Sequence, residues 1–529
     1  MQTTETRKKD IVGFFLKKGL LVNNELLEYL RDEQKFSEFA GLVGKTLPEN
    51  ITVLNNKIEY FISQHRDLNW EEFEKLEVAS ERSGIDGQNL VNSLLAGKNT
   101  ESKTEEKSES RVKVVSSYEA PPKKREANDF IEYFNIRYLM LEKLLKHRPG
   151  MQNIVSINRI SNKKNREEVS VVGMVMDKQD TKNGNCIITI EDRTGSIKTL
   201  INKNRQDLHK TAKDVVLDEV IGVTGVNGNN IIFANSIMFP GVPSTKEIKK
   251  CEDEAYALFL SDVHVGSKDF LKQDFNRFLK WINQETGTEA QKHIASTIKY
   301  IFIIGDLVDG CGVYPGQEKE LEIKDIKDQY MACAELLKNI PSHIEIIICP
   351  GNHDAMRLAE PQLPIYRDFA EPLYQLPNAT LTSNPAVVNI HSSGNFPGFD
   401  VLLYHGCSFD FYVTEVESIR NNGGYDRADL LMKFLLQKRH LAPSYTSTLY
   451  VPDIKSDFLV IDKVPDFFVS GHIHKASATN YKGITLISSS CWQGKTAYQE
   501  KVGHNPEPSR VPIVNLQTRQ MKILKFGKS

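Results

Sequence analysis

Five segments of the sequence end in side chains that commonly bind metal ions or act on phosphate esters. One of them, CPGNHD at residues 349–354, follows the apolar run IEIII and places an amide, an imidazole and a carboxylate next to one another. In all five segments such residues follow a run rich in β-branched and aromatic side chains, which is the pattern of a buried strand. The residues concerned are Asp262, His264, Asp306, Asp309, Asn352, His353, Asp354, His405, His472 and His474.

The positions of these residues at strand ends predict that they meet in space. In open α/β sheets, ligands gather at the carboxyl ends of the strands, so residues far apart in sequence can converge there. Carboxylate, imidazole and amide ligands without a thiolate suit manganese, iron or zinc, and manganese fits this donor set best. The ligands are too many for one ion, whereas two ions about 3.5–4 Å apart, bridged by a shared carboxylate, would use them all. A single DxH or HxH pair is commonplace, and it is the succession of five motifs that predicts a two-metal site.

The overall composition limits the classes of protein that the chain can be. Its 529 residues exceed what one hydrophobic core supports, so several domains are expected. The formal net charge of −2 excludes a basic field over the whole surface, so any nucleic-acid contact must be local. The 7 cysteines include no CxxC pair, which fits a reducing cytosol rather than a disulfide framework or a thiolate zinc site. No run of about 18 apolar residues occurs and the N-terminus lacks a signal-peptide core, so we expect no membrane association.

Shifts in composition predict four regions along the chain. Residues 1–95 carry amphipathic patterns and are predicted to form a small helical domain, which either packs only on itself or docks a partner. Residues 96–128 are rich in Ser, Lys, Glu and Pro and are predicted to be a disordered linker. Residues 129–245 contain a helical stretch and five short strand patterns, which predict an OB-type β-barrel. Residues 250–529 alternate strands and helices and are predicted to form an α/β domain, which makes the whole chain a multidomain α+β protein.

The side chains of the predicted barrel leave open whether it holds nucleic acid. OB barrels hold single strands through basic and aromatic residues on one face. This stretch offers Lys198, Lys203 and Arg205 but few aromatic residues. A purely architectural barrel is therefore as consistent with the sequence as one that grips DNA.

The five strand-end motifs, DVHVG, GDLVDG, GNHD, YHG and GHIH in that order, resemble those of the calcineurin-like metallophosphoesterases. The resemblance implies a two-sheet β-sandwich flanked by helices. It implies that one metal ion is held by Asp262, His264, Asp306 and His474. It also implies that Asp306 bridges to a second ion, whose remaining ligands are Asn352, His405 and His472.

The same resemblance assigns roles to the residues that do not bind metal. It implies that His353 lies beside the phosphate and stabilises or protonates the leaving oxygen. Asp354 is then expected to orient His353 from behind, as a carboxylate holds a catalytic imidazole. Asp309 is left open between a ligand and a support of the bridging loop.

The order of the domains and three further segments narrow the resemblance. The segments are NHDAMRLAEPQ after the third motif, SSSCWQGKTAYQ after the fifth and NPEPSRVPIVNLQT near the end. Together with the OB-type barrel they resemble the small-subunit family of archaeal family D DNA polymerases, well over residues 150–529 and loosely over residues 1–95. The resemblance implies a cytoplasmic, nucleoid-associated 3′–5′ exonuclease that proofreads for a separate large catalytic polymerase subunit. Its substrate would be the single-stranded or mispaired DNA 3′ end.

Four residues beyond the metal motifs are candidates for DNA contacts. We expect Arg357, Lys475 and Lys495 to line the path of the DNA backbone and Trp492 to stack a base. Solvated surface charge is an equally good interpretation of each cation, and a tryptophan is more often part of a hydrophobic core.

Two other functions are open from the sequence. The chain could be a non-catalytic scaffold for the large polymerase subunit, although a structural metal site needs no acid such as His353. It could also be another hydrolase of the superfamily, such as a protein phosphatase or a cyclic-nucleotide phosphodiesterase, although the OB-type barrel argues against this. Hydrolysis of DNA compared with hydrolysis of a phosphoserine peptide distinguishes these functions.

Overall fold

The computed structural model describes residues 11–12, 14, 21–22, 53–54, 112–120, 123–244 and 246–527. The chain divides into two compact units, residues 1–108 and residues 109–529. Apart from a few isolated positions, the helical domain predicted over residues 1–95 lies outside the described residues. Among the described residues, no helix combines the length and the apolar character needed to cross a lipid bilayer.

The second unit opens with a strand and a long helix. Strand β1 spans Val112–Ser117 and helix α1 spans Ala127–Lys146. The helix starts where the Asp129 carboxylate accepts a hydrogen bond from the Glu126 backbone N–H (2.9 Å). Its buried residues recur at helical spacing, so they lie on one face of the helix. They are Tyr133, Arg137, Tyr138, Leu141 and Leu145.

A closed five-stranded barrel follows. Its strands β2 to β6 are Glu168–Asp180, Cys186–Asp192, Gly195–Ile201, Val220–Asn227 and Ile231–Met238, and helix α2 is Gln206–Lys213. In space the strands follow the order β2-β3-β4-β6-β5, and β5 pairs with β2 to close the barrel. Burial alternates along β3, where Cys186, Ile188 and Ile190 belong to the barrel core. The barrel of the OB type predicted from the five strand patterns is confirmed.

Two six-stranded sheets form the rest of the unit. Strands β7 to β17 are Tyr256–Leu260, Ile298–Ile304, Glu345–Cys349, Ala379–Leu381, Ala386–Ile390, Phe399–Leu403, Phe467–Ser470, Ser477–Tyr481, Ile484–Ser488, Arg510–Asn515 and Met521–Lys525. Helices α3 to α10 are Lys272–Ile282, Glu289–Ser296, Ile326–Leu337, Arg367–Tyr374, Phe409–Glu415, Glu417–Arg420, Ala428–Lys438 and Ala497–Val502. The first sheet has the order β10-β9-β8-β7-β16-β17, and the second has β14-β15-β13-β12-β11-β1. Strands β7 to β10 run parallel, as do β12, β13 and β15.

The two sheets pack face to face because their central strands are apolar on both sides. In β7, Phe259 points into the layer between the sheets, whereas Leu258 and Leu260 pack in the core on the helix-covered outer face. The Phe259 ring centroid lies 5.2 Å from that of Phe302 in β8 and 6.1 Å from that of Phe467 in β13 of the other sheet. The predicted two-sheet sandwich flanked by helices is therefore confirmed.

Strand β1 lies inside the segment predicted to be a disordered linker, residues 96–128, and the prediction is wrong for this strand. β1 pairs antiparallel with β11, from Val112 opposite Ile390 to Ser117 opposite Ala386. The segment is polar overall, but it includes a short valine-rich run that favours a strand. The backbone hydrogen-bond partners of this run lie in β11, which is distant in sequence, so the local pattern does not indicate them. Residues 96–111 and 121–122 of the segment lie outside the described residues.

Buried ion pairs join the barrel and helix α1 to the sandwich. Lys438 of α9 lies 2.8 Å from Glu219, which precedes β5, and their side chains are 1% and 2% exposed. Arg137 of α1 lies 2.7 Å from Asp457, and both side chains are 0% exposed. Taking such charges out of water costs several kcal/mol per ion, which only the paired geometry offsets. The first pair therefore holds the barrel against the sandwich, and the second holds helix α1 against it.

We predict that Lys438→Met lowers the free energy of unfolding by about 3–5 kcal/mol, because it leaves the Glu219 carboxylate buried without its partner. Chemical denaturation followed by circular dichroism measures the change. The double variant Lys438→Met/Glu219→Leu should recover much of the loss, since no uncompensated charge remains. The matched control is Lys433→Met on the same helix, whose more exposed pair with Asp429 should contribute about 1 kcal/mol or less. Equal losses in the single and double variants would contradict the prediction.

Candidate metal centre

The strand-end motifs of both sheets open onto one cleft of about 600 Å³. Strands β7, β8 and β9 of the first sheet end there, as do β12 and β13 of the second. The predicted site residues that line it are His264, Asp306, Asp309, Asn352, His353, His472 and His474. Asp262 and His405 are fully buried and contact these residues. The structure thus brings together all of the side chains that were candidates for metal binding.

Asp262, His264 and His474 form a first cluster of candidate ligands. Asp262 Oδ1 lies 3.2 Å from His474 Nε2 and 3.9 Å from His264 Nε2, and these two ring nitrogens are 3.2 Å apart. Within the described part of the chain, Asp262 Oδ1 makes no hydrogen bond of good alignment. Two imidazole nitrogens and a carboxylate oxygen that face one another in a buried place match the donor geometry of a divalent metal ion.

Asp306, Asn352 and His405 form a second cluster. His405 Nδ1 donates to the carbonyl oxygen of Ile304 (2.7 Å), which can only accept, so Nδ1 carries the proton. The other nitrogen, Nε2, faces Asp306 Oδ2 at 3.2 Å and Asn352 Oδ1 at 3.1 Å. A backbone carbonyl that fixes the tautomer in this way is typical of a metal-binding histidine. In the neutral ring, the Nε2 lone pair and the two oxygens converge on one point that suits a cation.

His472 has a carboxylate partner that sequence analysis missed. Its Nε2 atom lies 2.8 Å from Asp410 Oδ2 in the first turn of α7, and its ring centroid is 5.2 Å from that of His405. Burial opposes ionisation of Asp410, but His472 outweighs it and lowers the pKa of this carboxyl to about 2. Asp410 follows no strand and belongs to none of the motifs, so its position after the YHG motif was the only signal that could have indicated it.

The backbone is strained at the candidate ligands. Five of them have positive φ angles between 50° and 71°, a region that non-glycine residues rarely adopt: Asp262, His264, Asp306, His472 and His474. Gly351 and Gly471 make the close approach possible, because a Cβ atom there would collide with Asp306 Oδ1 or Ser261 Oγ, respectively. Strain of this kind costs of order 1–3 kcal/mol per residue and is typical of functional sites.

A different residue from the predicted one holds His353. The His353 Nδ1 atom donates to the backbone carbonyl oxygen of Asp309 (2.7 Å). Asp354 instead accepts hydrogen bonds from the Tyr330 hydroxyl (3.0 Å) and the Gly351 N–H (2.9 Å). The prediction that Asp354 orients His353 is therefore wrong, because the GNHD turn directs these consecutive side chains to different partners. Asp354 stabilises the turn itself.

Asp309 contacts the site with both its side chain and its backbone. Its Oδ1 atom lies 3.1 Å from His264 Nδ1 and accepts a hydrogen bond from Gln493 (2.9 Å). Its carbonyl oxygen holds His353. A single residue therefore positions a candidate metal ligand and the candidate acid, which favours the supporting role over the role of a ligand.

Paired charges set the protonation of the buried groups. Burial opposes the charged form of Asp306, but His405 outweighs it, and the pKa of this carboxyl lies well below its ordinary value. By the same pairing, the Asp306 carboxylate overcomes the effect of burial and raises the pKa of His405 to about 10. Burial, reinforced by Asp306, raises the pKa of Asp354 to about 7. The cluster thus attracts positive charge, and a proton and a metal cation compete for the same place.

Trp492 does not border the cleft, and the prediction that it stacks a base is wrong. The residue is 1% exposed. Its ring lies 4.9 Å from that of Phe275 and 5.6 Å from that of Phe278 between centroids, in the core under the first sheet. The hydrophobic effect places this large side chain in the core, although its sequence neighbours are polar.

The three cations predicted to follow the DNA backbone are not among the residues that line the cleft. Arg357 donates to a backbone carbonyl oxygen (2.6 Å) and is half-buried. Lys475 pairs with Asp426 (2.5 Å), and Lys495 is exposed and donates to Asn505 (3.0 Å). Their expected contacts with DNA stay a prediction.

Both folded parts of the second unit match known families. Residues 256–476 match the calcineurin-like phosphoesterases, and residues 169–228 match an OB-fold nucleic-acid-binding domain. The phosphoesterase match implies that the chain binds divalent metal ions, and the grouped histidines and aspartates described above fit them.

Three similar proteins carry the same description. The DNA polymerase II small subunit of Methanothermobacter thermautotrophicus is 40% identical over 402 residues, which are 76% of this chain and 80% of the relative. Its counterpart in Archaeoglobus fulgidus is 38% identical over 400 residues, 76% of this chain and 78% of the relative. That of Pyrococcus furiosus is 38% identical over 419 residues, which are 77% of this chain and 66% of a longer relative. The chain therefore belongs to the family of DNA polymerase II small subunits.

Proposed function

We propose that the chain is the small subunit of a two-subunit archaeal replicative DNA polymerase of family D and that it carries a metal-dependent 3′–5′ exonuclease. The observation that carries the proposal is the convergence of the candidate metal ligands with His353 in one cleft. A site that only stabilised the fold would have no use for an imidazole that lines the cleft and is held by Asp309 rather than by a ligand.

The reaction is hydrolysis of the terminal phosphodiester. The oxygen of water bonds to phosphorus, the bond between phosphorus and the 3′ oxygen breaks, and that oxygen takes up a proton. Divalent ions held by the two clusters, manganese in the first instance with iron and zinc as alternatives, would neutralise the phosphodiester and acidify the attacking water. The Asp309 carbonyl fixes His353 through Nδ1 and leaves Nε2 available to the leaving oxygen. In the imidazolium form, Nε2–H would donate the proton that this oxygen takes up, and the ring would return to the neutral form.

The proposed substrate is the single-stranded or mispaired 3′ end of DNA. A mispaired end frays more easily than a paired one, so a cleft that accepts single strands selects errors. A volume of about 600 Å³ is that of a small-ligand site, which suits the end of one strand better than a stretch of duplex. The OB-type barrel supports contact with nucleic acid. DNA synthesis belongs to the large catalytic subunit. The chain acts together with that subunit in the cytoplasm, at the nucleoid.

We predict that the full chain with Mn²⁺ shortens a 5′-labelled single-stranded oligonucleotide from its 3′ end. The assay is run alone and together with the large polymerase subunit, and hydrolysis of a phosphoserine peptide is measured in parallel. No shortening in either form would favour a scaffold without catalysis. Faster turnover of the peptide than of DNA would favour another hydrolase of the superfamily. Comparison of manganese, iron and zinc at equal concentration identifies the metal that supports the highest rate.

We predict that Asp306→Ala abolishes metal-dependent hydrolysis and lowers the bound metal content, because it removes the carboxylate beside His405 and the acceptor for the His353 N–H. Plasma mass spectrometry of the purified protein measures the metal content. Asp368→Ala, which removes an exposed carboxylate in α6, is the control and should leave both quantities unchanged. Full metal content in Asp306→Ala would contradict the assignment of Asp306 as a ligand.

We predict that His353→Ala lowers kcat by about 10²–10⁴-fold, the usual contribution of a general acid, and leaves the metal content unchanged. The exposed His293, which contacts Glu254, provides the control variant His293→Ala, with expected wild-type kinetics. Loss of metal from His353→Ala would instead make His353 a ligand.

A further inference from the structure

Two rings border the cleft that the candidate metal ligands line. Tyr425 and His504 both line it, with ring centroids 4.2 Å apart and ring planes inclined by 54°. Both side chains are half-buried, so part of each remains accessible from the cleft. Neither residue belongs to the strand-end motifs or takes part in the proposed hydrolysis.

Tyr425 is positioned by a tight turn and by a contact with the metal centre. It lies in the short helical turn Gly424–Asp426, which begins after Gly423 with a φ of 113°. Its hydroxyl hydrogen-bonds to Asp410, whose carboxylate lies 2.8 Å from His472. The ring is therefore held one side chain away from a candidate metal ligand.

His504 is positioned from the other side in a similar way. It follows helix α10 and the C-cap residue of that helix, Gly503, which has a φ of 77°. The His504 backbone N–H donates to the carbonyl oxygen of Gln499 (2.8 Å), and the Gln499 side chain lies 3.0 Å from His474 Nδ1. Each ring is thus connected to one histidine of the HxH pair in the fifth motif, Tyr425 through Asp410 to His472 and His504 through Gln499 to His474.

Part of the remaining lining of the cleft is apolar, alongside the polar Gln493, Thr496 and Gln499. Val313, Tyr314 and Pro315 lie in the loop after the second motif and border the same space. A cleft with a metal-binding floor and an aromatic border matches the two parts of a nucleotide, an anionic phosphate and a base with two apolar faces.

We propose that Tyr425, backed by His504, is the stacking surface for the base of the 3′-terminal nucleotide. This inference rests on the proposed exonuclease function and deepens it. An enzyme that removes any mispaired nucleotide must accept all four bases. Stacking meets this requirement because every base has a π-face, whereas hydrogen bonds to base edges would discriminate among them. The buried Trp492 is unable to supply such a surface.

The test uses two 5′-labelled single-stranded oligonucleotides that differ only at the 3′ end, which carries either an ordinary nucleotide or a tetrahydrofuran abasic residue. The measured quantity is kcat/KM for the ordinary strand divided by kcat/KM for the abasic strand. It is determined for the full chain alone and with the large polymerase subunit. The fraction of active enzyme cancels from this ratio, so partial misfolding of a variant does not distort it.

The expected result is that Tyr425→Leu lowers the ratio by about fivefold to a hundredfold, the usual effect of losing one base-stacking ring. Tyr425→Phe is the matched variant, because it keeps the ring and loses only the hydrogen bond to Asp410, and it should keep the ratio. A wild-type ratio in Tyr425→Leu, or an equal fall in both variants, overturns the stacking role. An equal loss of rate on both strands also overturns it, since the residue would then act only through Asp410. If the wild-type chain cleaves neither strand, the proposed exonuclease function fails as well.

Discussion

Two buried carboxylates, Asp262 and Asp306, divide their oxygens between backbone and imidazole, and the shape of the cleft depends on that division. Asp262 accepts a hydrogen bond from the His472 N–H with Oδ2 (2.9 Å), and Asp306 accepts one from the His353 N–H with Oδ1 (2.8 Å). The other oxygen of each carboxylate faces a histidine ring at 3.2 Å. One atom therefore ties down a neighbouring loop while the other is aimed at a candidate ligand. A loop that moved would leave a buried charge without its hydrogen bond, which is costly.

This arrangement requires a rigid base, because it gathers residues from two different sheets. The strained φ angles of the ligand loops would relax if the strand ends could shift. The aromatic layer that joins the sheets, with Phe259 against Phe302 and Phe467, holds the strands in fixed relative positions. Parallel strands that are buried on both faces supply this stiffness and deliver their carboxyl ends to one edge. Packing in the sandwich thus offsets the local cost of the ligand geometry.

Features determined by neighbouring residues could be predicted from the sequence, and features determined by distant partners could not. A strand and the ligands at its end lie in one short segment, so the barrel and the convergence of the motifs follow from local pattern. The two-sheet sandwich was expected from the resemblance of the five motifs. Trp492 stands among polar neighbours and is nevertheless in the core, and Asp354 follows His353 in sequence but bonds to Tyr330. Asp410 was missed because its partner His472 lies 62 positions away along the chain. Strand β1 likewise exists because β11 offers it an edge.

The buried Lys438–Glu219 pair has a mechanical consequence. Separating charges that lie 2.8 Å apart in a nearly water-free place would cost several kcal/mol. The pair therefore opposes rotation of the barrel relative to the sandwich. A strand of nucleic acid that contacted both the barrel and the cleft would then span a fixed distance. The number of nucleotides between the two contacts would be set by the protein rather than by the sequence of the strand.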